Sequence, residues 1–130
     1  PSGKFVTSFA GVYTTRLAVD DLDQVAMLDR DTKSVRVVDR NGAPLYQAPS
    51  RGKYEFRNPV DIAFDAFGHL YVLDRDSATV FILTPTGLIA SFTIAEKGVG
   101  AFRKSTAMAL DSAGRLYIFD EKAMSVLIYQ

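Results

Sequence analysis

Short apolar runs, each closed by an aspartate, recur along this chain with polar turns between them. Leu17-Ala18-Val19 ends at Asp20, and Val25-Ala26-Met27-Leu28 ends at Asp29. Ile62-Ala63-Phe64 ends at Asp65, and Leu70-Tyr71-Val72-Leu73 at Asp74. Met108-Ala109-Leu110 ends at Asp111, and Leu116-Tyr117-Ile118-Phe119 at Asp120. Runs this short, bounded by turn formers, predict β-strands, and no segment sustains a helical period. A third run follows each pair: Ser34–Val38, Thr79–Leu83 and Ser125–Tyr129, rich in β-branched and aromatic residues. In the second repeat the pattern predicts strands at Val60–Phe64, His69–Leu73, Thr79–Leu83 and Leu88–Ile94. Their turns fall at Asp65–Gly68, Asp74–Ser77 and Thr84–Gly87, where glycine supplies a positive φ.

The equivalent residues Asp20, Asp65 and Asp111 lie 45 and then 46 residues apart. A period of about 40 to 50 residues built from short strands is that of a β-propeller blade. The expected fold is therefore all-β: three four-stranded antiparallel blades in one domain over residues 1–130. The blades are expected near 17–57, 60–103 and 106–130, the last completed by 1–10. The third repeat stops at Gln130 before a fourth strand. The chain opens with what is missing, since Lys4–Phe9 follows Gly3 as the fourth strands follow Gly42 and Gly87. Known propellers need about four or more blades to close. Three would leave an apolar face at each end, which soluble monomers rarely expose. The expected partner is thus a second copy, in a six-bladed homodimeric ring where each N-terminal strand completes the other chain's last blade. A start at Pro1 rather than Met suggests a processed, excised or designed segment.

The stretch from Asn58-Pro59-Val60-Asp61 through Asp65-Ala66-Phe67-Gly68 to Leu70-Tyr71-Val72-Leu73-Asp74 resembles an NHL repeat. The third repeat follows it with Ser105 in place of Pro59. The first has Thr14 and Asp23 where the Pro and the turn Gly stand. The resemblance implies a six-bladed ring that binds or scaffolds. Some propellers of this kind are lyases or lactonases with a channel metal, and some bind single-stranded RNA.

The remaining composition narrows the chemistry. Fifteen basic and fifteen acidic residues cancel, which gives no global attraction to nucleic acid or an anionic membrane. No apolar run approaches the roughly 18 residues of a membrane span, and no signal-peptide pattern opens the chain. Without cysteine the redox compartment stays open, so localisation is unassigned. His69 is the only histidine and there is no cysteine, so the expectation is no Ser-His-Asp or Cys-His set and no zinc site of the usual His/Cys kind. The acidic turns Asp29-Arg30-Asp31, Asp74-Arg75-Asp76 and Asp20-Asp21-Leu22-Asp23 invite a calcium reading. They lack its Gly bend and distant Glu, and the expectation is turn-capping carboxylates with no cofactor. The first strands expected to line the axis are apolar apart from neighbouring Arg16 and Asp61, which argues against a catalytic channel.

One end of the blades is richer. Loops between blades and turns between second and third strands lie on the same side of a propeller. That side collects Arg30, Arg57, Arg75, Arg103 and Lys104 as binding candidates, near Asn58, Tyr13, Tyr54, Phe56 and Phe102. The leading expectation is a non-catalytic module that binds a protein, peptide or small ligand. The alternatives are a channel-site lyase or lactonase and an RNA binder using the aromatics as stacking platforms. Phe64, Tyr71, Phe81, Tyr117 and Phe119 are expected in the core.

Overall fold

In the computed structural model, which describes residues 1–49, 53–94 and 104–130, every regular element is a β-strand. The first blade is β1 (Arg16–Val19), β2 (Val25–Asp29), β3 (Ser34–Val38) and β4 (Pro44–Ala48). The second is β5 (Pro59–Phe64), β6 (Leu70–Asp74), β7 (Thr79–Thr84) and β8 (Gly87–Thr93). The third is β9 (Ser105–Leu110), β10 (Leu116–Asp120) and β11 (Ser125–Tyr129). Each blade is an antiparallel meander in chain order. The expected strands of the second repeat agree with β5–β8 to within a residue at each end.

Alternation within the strands decides which blade each side chain meets. Ala26 and Leu28 of β2, Val35 and Val37 of β3, and Ala48 of β4 point toward the second blade. There they pack on Ile62, Leu70, Val72, Phe81 and Leu83. The opposite face of the second blade carries Val60, Leu73 and Val80, which meet Met108, Leu116, Ile118 and Leu127. The first strands β1, β5 and β9 lie beside one another, so the three sheets fan around a common axis as in a propeller. Asp61 ties the fan together at that axis. Its Oδ2 accepts Met108 N–H of the third blade at 2.7 Å, and its Oδ1 lies 3.8 Å from Arg16 of the first.

Two expectations are corrected. The third sheet has three strands rather than four, and residues 1–12 form no strand. Within one chain the N-terminal segment does not pair with β11. It runs instead along the outer flank of the first blade: Val6 and Thr7 border Val19 and Val25, and Phe9 rests on Gly42. A Cβ on Gly42 would come within 2.6 Å of Phe9 Cβ, and its φ of +85° also demands glycine. Second, only Phe81 of the five expected core aromatics is fully buried; Phe64, Tyr71, Tyr117 and Phe119 are half-buried. Tyr117 and Phe119 face the side of the third blade on which no further blade packs, where Val126 and Ile128 are 57% and 60% exposed.

Candidate functional site at the axial mouth

The acidic turns do a uniform structural job. Asp20 Oδ1 accepts the N–H groups of Leu22 and Gln24, Asp65 Oδ1 those of Phe67 and His69, and Asp111 Oδ1 those of Ala113 and Arg115. Asp29 caps its turn through Asp31 and Thr32 N–H. These bonds hold the Asp29 and Asp111 carboxyls below the usual range, Asp111 at about 2 with help from the Arg115 guanidinium. His69, expected as a half-exposed strand-end residue, places Nδ1 2.8 Å from Asp65 Oδ2.

Asp74 goes further. It is fully buried, and its Oδ1 accepts N–H bonds from Asn58, Asp76 and Ser77 while Oδ2 accepts that of Arg57. One carboxylate thus joins the β6–β7 turn to the loop that leads into β5. The Asn58 carbonyl answers by accepting Arg75 N–H at 3.0 Å. The Asn58 side chain then spans two blades: its Oδ1 accepts a bond from Arg30 Nη2 at 3.2 Å, and its Nδ2 donates to Asp76 Oδ1 at 3.2 Å. The turns carrying Arg30 and Arg75, equivalent in sequence, are held side by side.

Between them lies a concavity of about 170 Å³ at the loop end of the axis, lined by Thr15, Arg16, Arg30, Val60, Arg75 and Thr106. Thr15, Val60 and Thr106 occupy one repeat position in the three blades. The structure therefore brings together Arg30 and Arg75, as expected, and adds Arg16. Its placement beside the axis was visible in the sequence; what identified it as a lining residue is its register at the head of β1. The other candidates stand apart. Arg57 is exposed and lines no part of the concavity, and Lys104 lies 3.6 Å from Glu121. Arg103 and Phe102 lie outside the described residues. The aromatic platform is corrected as well: Phe56 is 3% exposed, packed edge-on against Phe81 at 5.2 Å, and Tyr54 stacks on Phe81 at 5.8 Å. Both rings serve the core between the first two blades, which leaves Tyr13, 72% exposed, as the displayed member of the expected platform within the described residues.

The guanidiniums are weakly engaged. Arg16 lies 3.8 Å from Asp61 and Arg75 3.9 Å from Asp76, both beyond hydrogen-bond length. Among the described residues no carboxylate comes within ion-pair distance of Arg30. Asp61 is half-buried, and that burial raises its carboxyl despite the bonds from Met108 and Ile62 N–H and the charge of Arg16.

No protein-family model matches this chain, and no curated protein does. Solved structures do. A streptogramin B lyase superposes with a TM-score of 0.63 at 10% identity over 88% of this chain and 39% of its own. A virginiamycin B lyase from Staphylococcus aureus gives 0.62 at 10% identity, over 88% of this chain and 40% of its own. A putative exported protein from Bacteroides fragilis gives 0.64 at 12% identity, over 96% and 37%. At these identities the likeness is one of fold. The chain spans about two fifths of the length of the structures it matches.

Proposed function

We propose that the chain is a sector of a non-catalytic β-propeller that binds a ligand at the loop end of its axis. The observation that carries this is the convergence of Arg16, Arg30 and Arg75 from two blades on one concavity, while the neighbouring carboxylates are occupied as turn caps. Fold-level likeness to two lyases does not transfer their activity. Asp61, the carboxylate beside Arg16, serves the backbone, each of its oxygens accepting a backbone N–H bond, and His69 lies at the other end of the blade, bonded to Asp65. Incubation with a streptogramin B antibiotic should leave it intact; a linearised product would establish the lyase reading. Binding itself is tested by thermal shift against a panel of anionic, cationic and neutral small molecules and short peptides. The wild type should be stabilised by some members, and a panel without any hit would overturn the binding role.

The ring that frames this site is proposed to be six-bladed, closed by a second copy, as the NHL-like repeat pattern suggests. Three features support it: among the described residues β11 offers an edge without a neighbouring strand, its Val126 and Ile128 are exposed, and Phe5 and Val6 are 75% and 87% exposed. Lys4–Phe9 of each copy would then add the outer strand to the other's third blade. Light scattering should give the mass of a dimer; a stable monomer at micromolar concentration would refute this closure.

A further inference from the structure

We propose that the axial concavity is an oxyanion site, recognising a carboxylate or phosphoryl group through Arg16, Arg30 and Arg75. The inference rests on the binding role above and names the ligand chemistry. Arg16 and Arg75 each have one carboxylate within ion-pair distance, and Arg30 has none among the described residues. The hydrogen-bond donors are freer still. Arg30 spends one bond on Asn58 and Arg16 one on the Thr15 carbonyl, out of five N–H donors each. Arg75 Nε is enclosed and has no acceptor among the described residues, and neither does the Thr15 hydroxyl. Enclosed donors without acceptors are costly, and a bound anion or ordered water supplies what they lack. Guanidiniums present forked donors that match the paired oxygens of carboxylate and phosphate.

The walls favour a compact group. Val60 closes one side, and Thr15 and Thr106 offer hydroxyls rather than charge. About 170 Å³ accommodates an oxyanion headgroup with a short stem. The Asn58 bridge fixes the spacing of the two equivalent arginine turns, so the donor array is preorganised by the backbone staple at Asp74.

The test is an NMR titration of arginine Nε–Hε resonances at constant ionic strength, with inorganic phosphate and succinate as probes and acetamide as the neutral comparison. Saturable shifts at Arg30 or Arg75 with phosphate, succinate or both are expected, and the stronger of the two identifies a phosphoryl or a carboxylate source. Arg30→Gln and Arg75→Gln should each weaken binding about tenfold, with melting temperatures confirming that both variants fold. Arg40→Gln, at the far end of the blade in a 2.7 Å pair with Asp23, should leave it unchanged. Absence of saturable shifts with both anions, equal shifts with acetamide, or unchanged affinity in both arginine variants would overturn the oxyanion assignment. Should neutral or cationic members of the thermal-shift panel bind in that case, the binding role would stand and only its chemistry would fall.

Discussion

Replacing Asp74 is the most direct test of how the loop end is held. Its carboxylate is fully buried and accepts four backbone N–H bonds, from Arg57, Asn58, Asp76 and Ser77. In Asp74→Ala the Asp76 and Ser77 donors lie in a surface turn and turn to water. Those of Arg57 and Asn58 sit over the blade interface and lose their acceptor. Two bonds to a charged acceptor at about 1.5–3 kcal/mol each give a gross loss near 3–6 kcal/mol. Relief of a buried charge offsets part of this, so the net expectation is about 3–4 kcal/mol. Asp74→Asn keeps an oxygen for the three Oδ1 donors and turns an amide N–H toward Arg57 alone, so about 1–2 kcal/mol is expected. Urea unfolding followed by circular dichroism measures both, with a midpoint shift at constant slope marking a change in stability. A loss below about 1 kcal/mol for Asp74→Ala would refute the staple, because the average point substitution costs as much.

Lys33, Ala78 and Met124 hold one repeat position with φ of 54°, 50° and 51°, so Ala78→Gly and Met124→Gly should each stabilise by about 0.5–1 kcal/mol in the same urea assay. Phe81→Ala should cost about 3–5 kcal/mol, and Phe119→Ala clearly less in a monomer because its face is half-covered; equal losses would mean that the outer flank of the third blade is packed. The Asp111 carboxyl is lowered to about 2, so its contribution to stability is complete above its unfolded value near 4 and is lost as pH falls toward 2. Asp61, raised by burial, acts with the opposite sign, so the acid loss is read as the difference between wild type and Asp111→Asn; identical pH profiles of unfolding would refute it.

The repeat made the blades legible. Aspartates that end apolar runs marked the turns, and the structure uses them there as caps. The left-handed residues of the second turns escaped notice because Lys33, Ala78 and Met124 carry no turn signature. Hydrogen bonds such as Ala78 N–H to Arg75 O and Ile94 N–H to Ala78 O impose the conformation over local preference. Phe56 read as a surface aromatic because it belongs to a loop. That loop is drawn onto the core by the Asp74 staple at the next two residues, Arg57 and Asn58, which no periodicity reports. The fourth strand that the repeat assigns to the last blade, from the N-terminus of a second copy, has no counterpart within one chain, whose third sheet has three strands. Register is a property of the repeat, whereas the N-terminal segment of this chain packs on the first blade, with Phe9 against Gly42.

The carboxylates and the arginines of the Asp-Arg-Asp turns therefore belong to one argument. Counted from the sequence, each arginine is flanked by acids that would neutralise it. In the fold the first acid of each turn is committed to backbone N–H groups, Asp74 fully buried and Asp29 half-buried at the surface. The second acid is left in the solvent-exposed turn, where Asp76 reaches no closer than 3.9 Å to Arg75 and is bonded by Asn58 instead. Ion pairs of that length in an exposed turn contribute little. A zero net charge thus coexists with guanidinium donors aimed at one concavity, because the first acid of each turn is engaged by backbone N–H groups. Converting Asp76 to Asn should consequently change anion affinity at the mouth by less than removing Arg75, and the opposite order in the NMR titration would show that surface pairing, rather than the capped turn, sets the charge of the site.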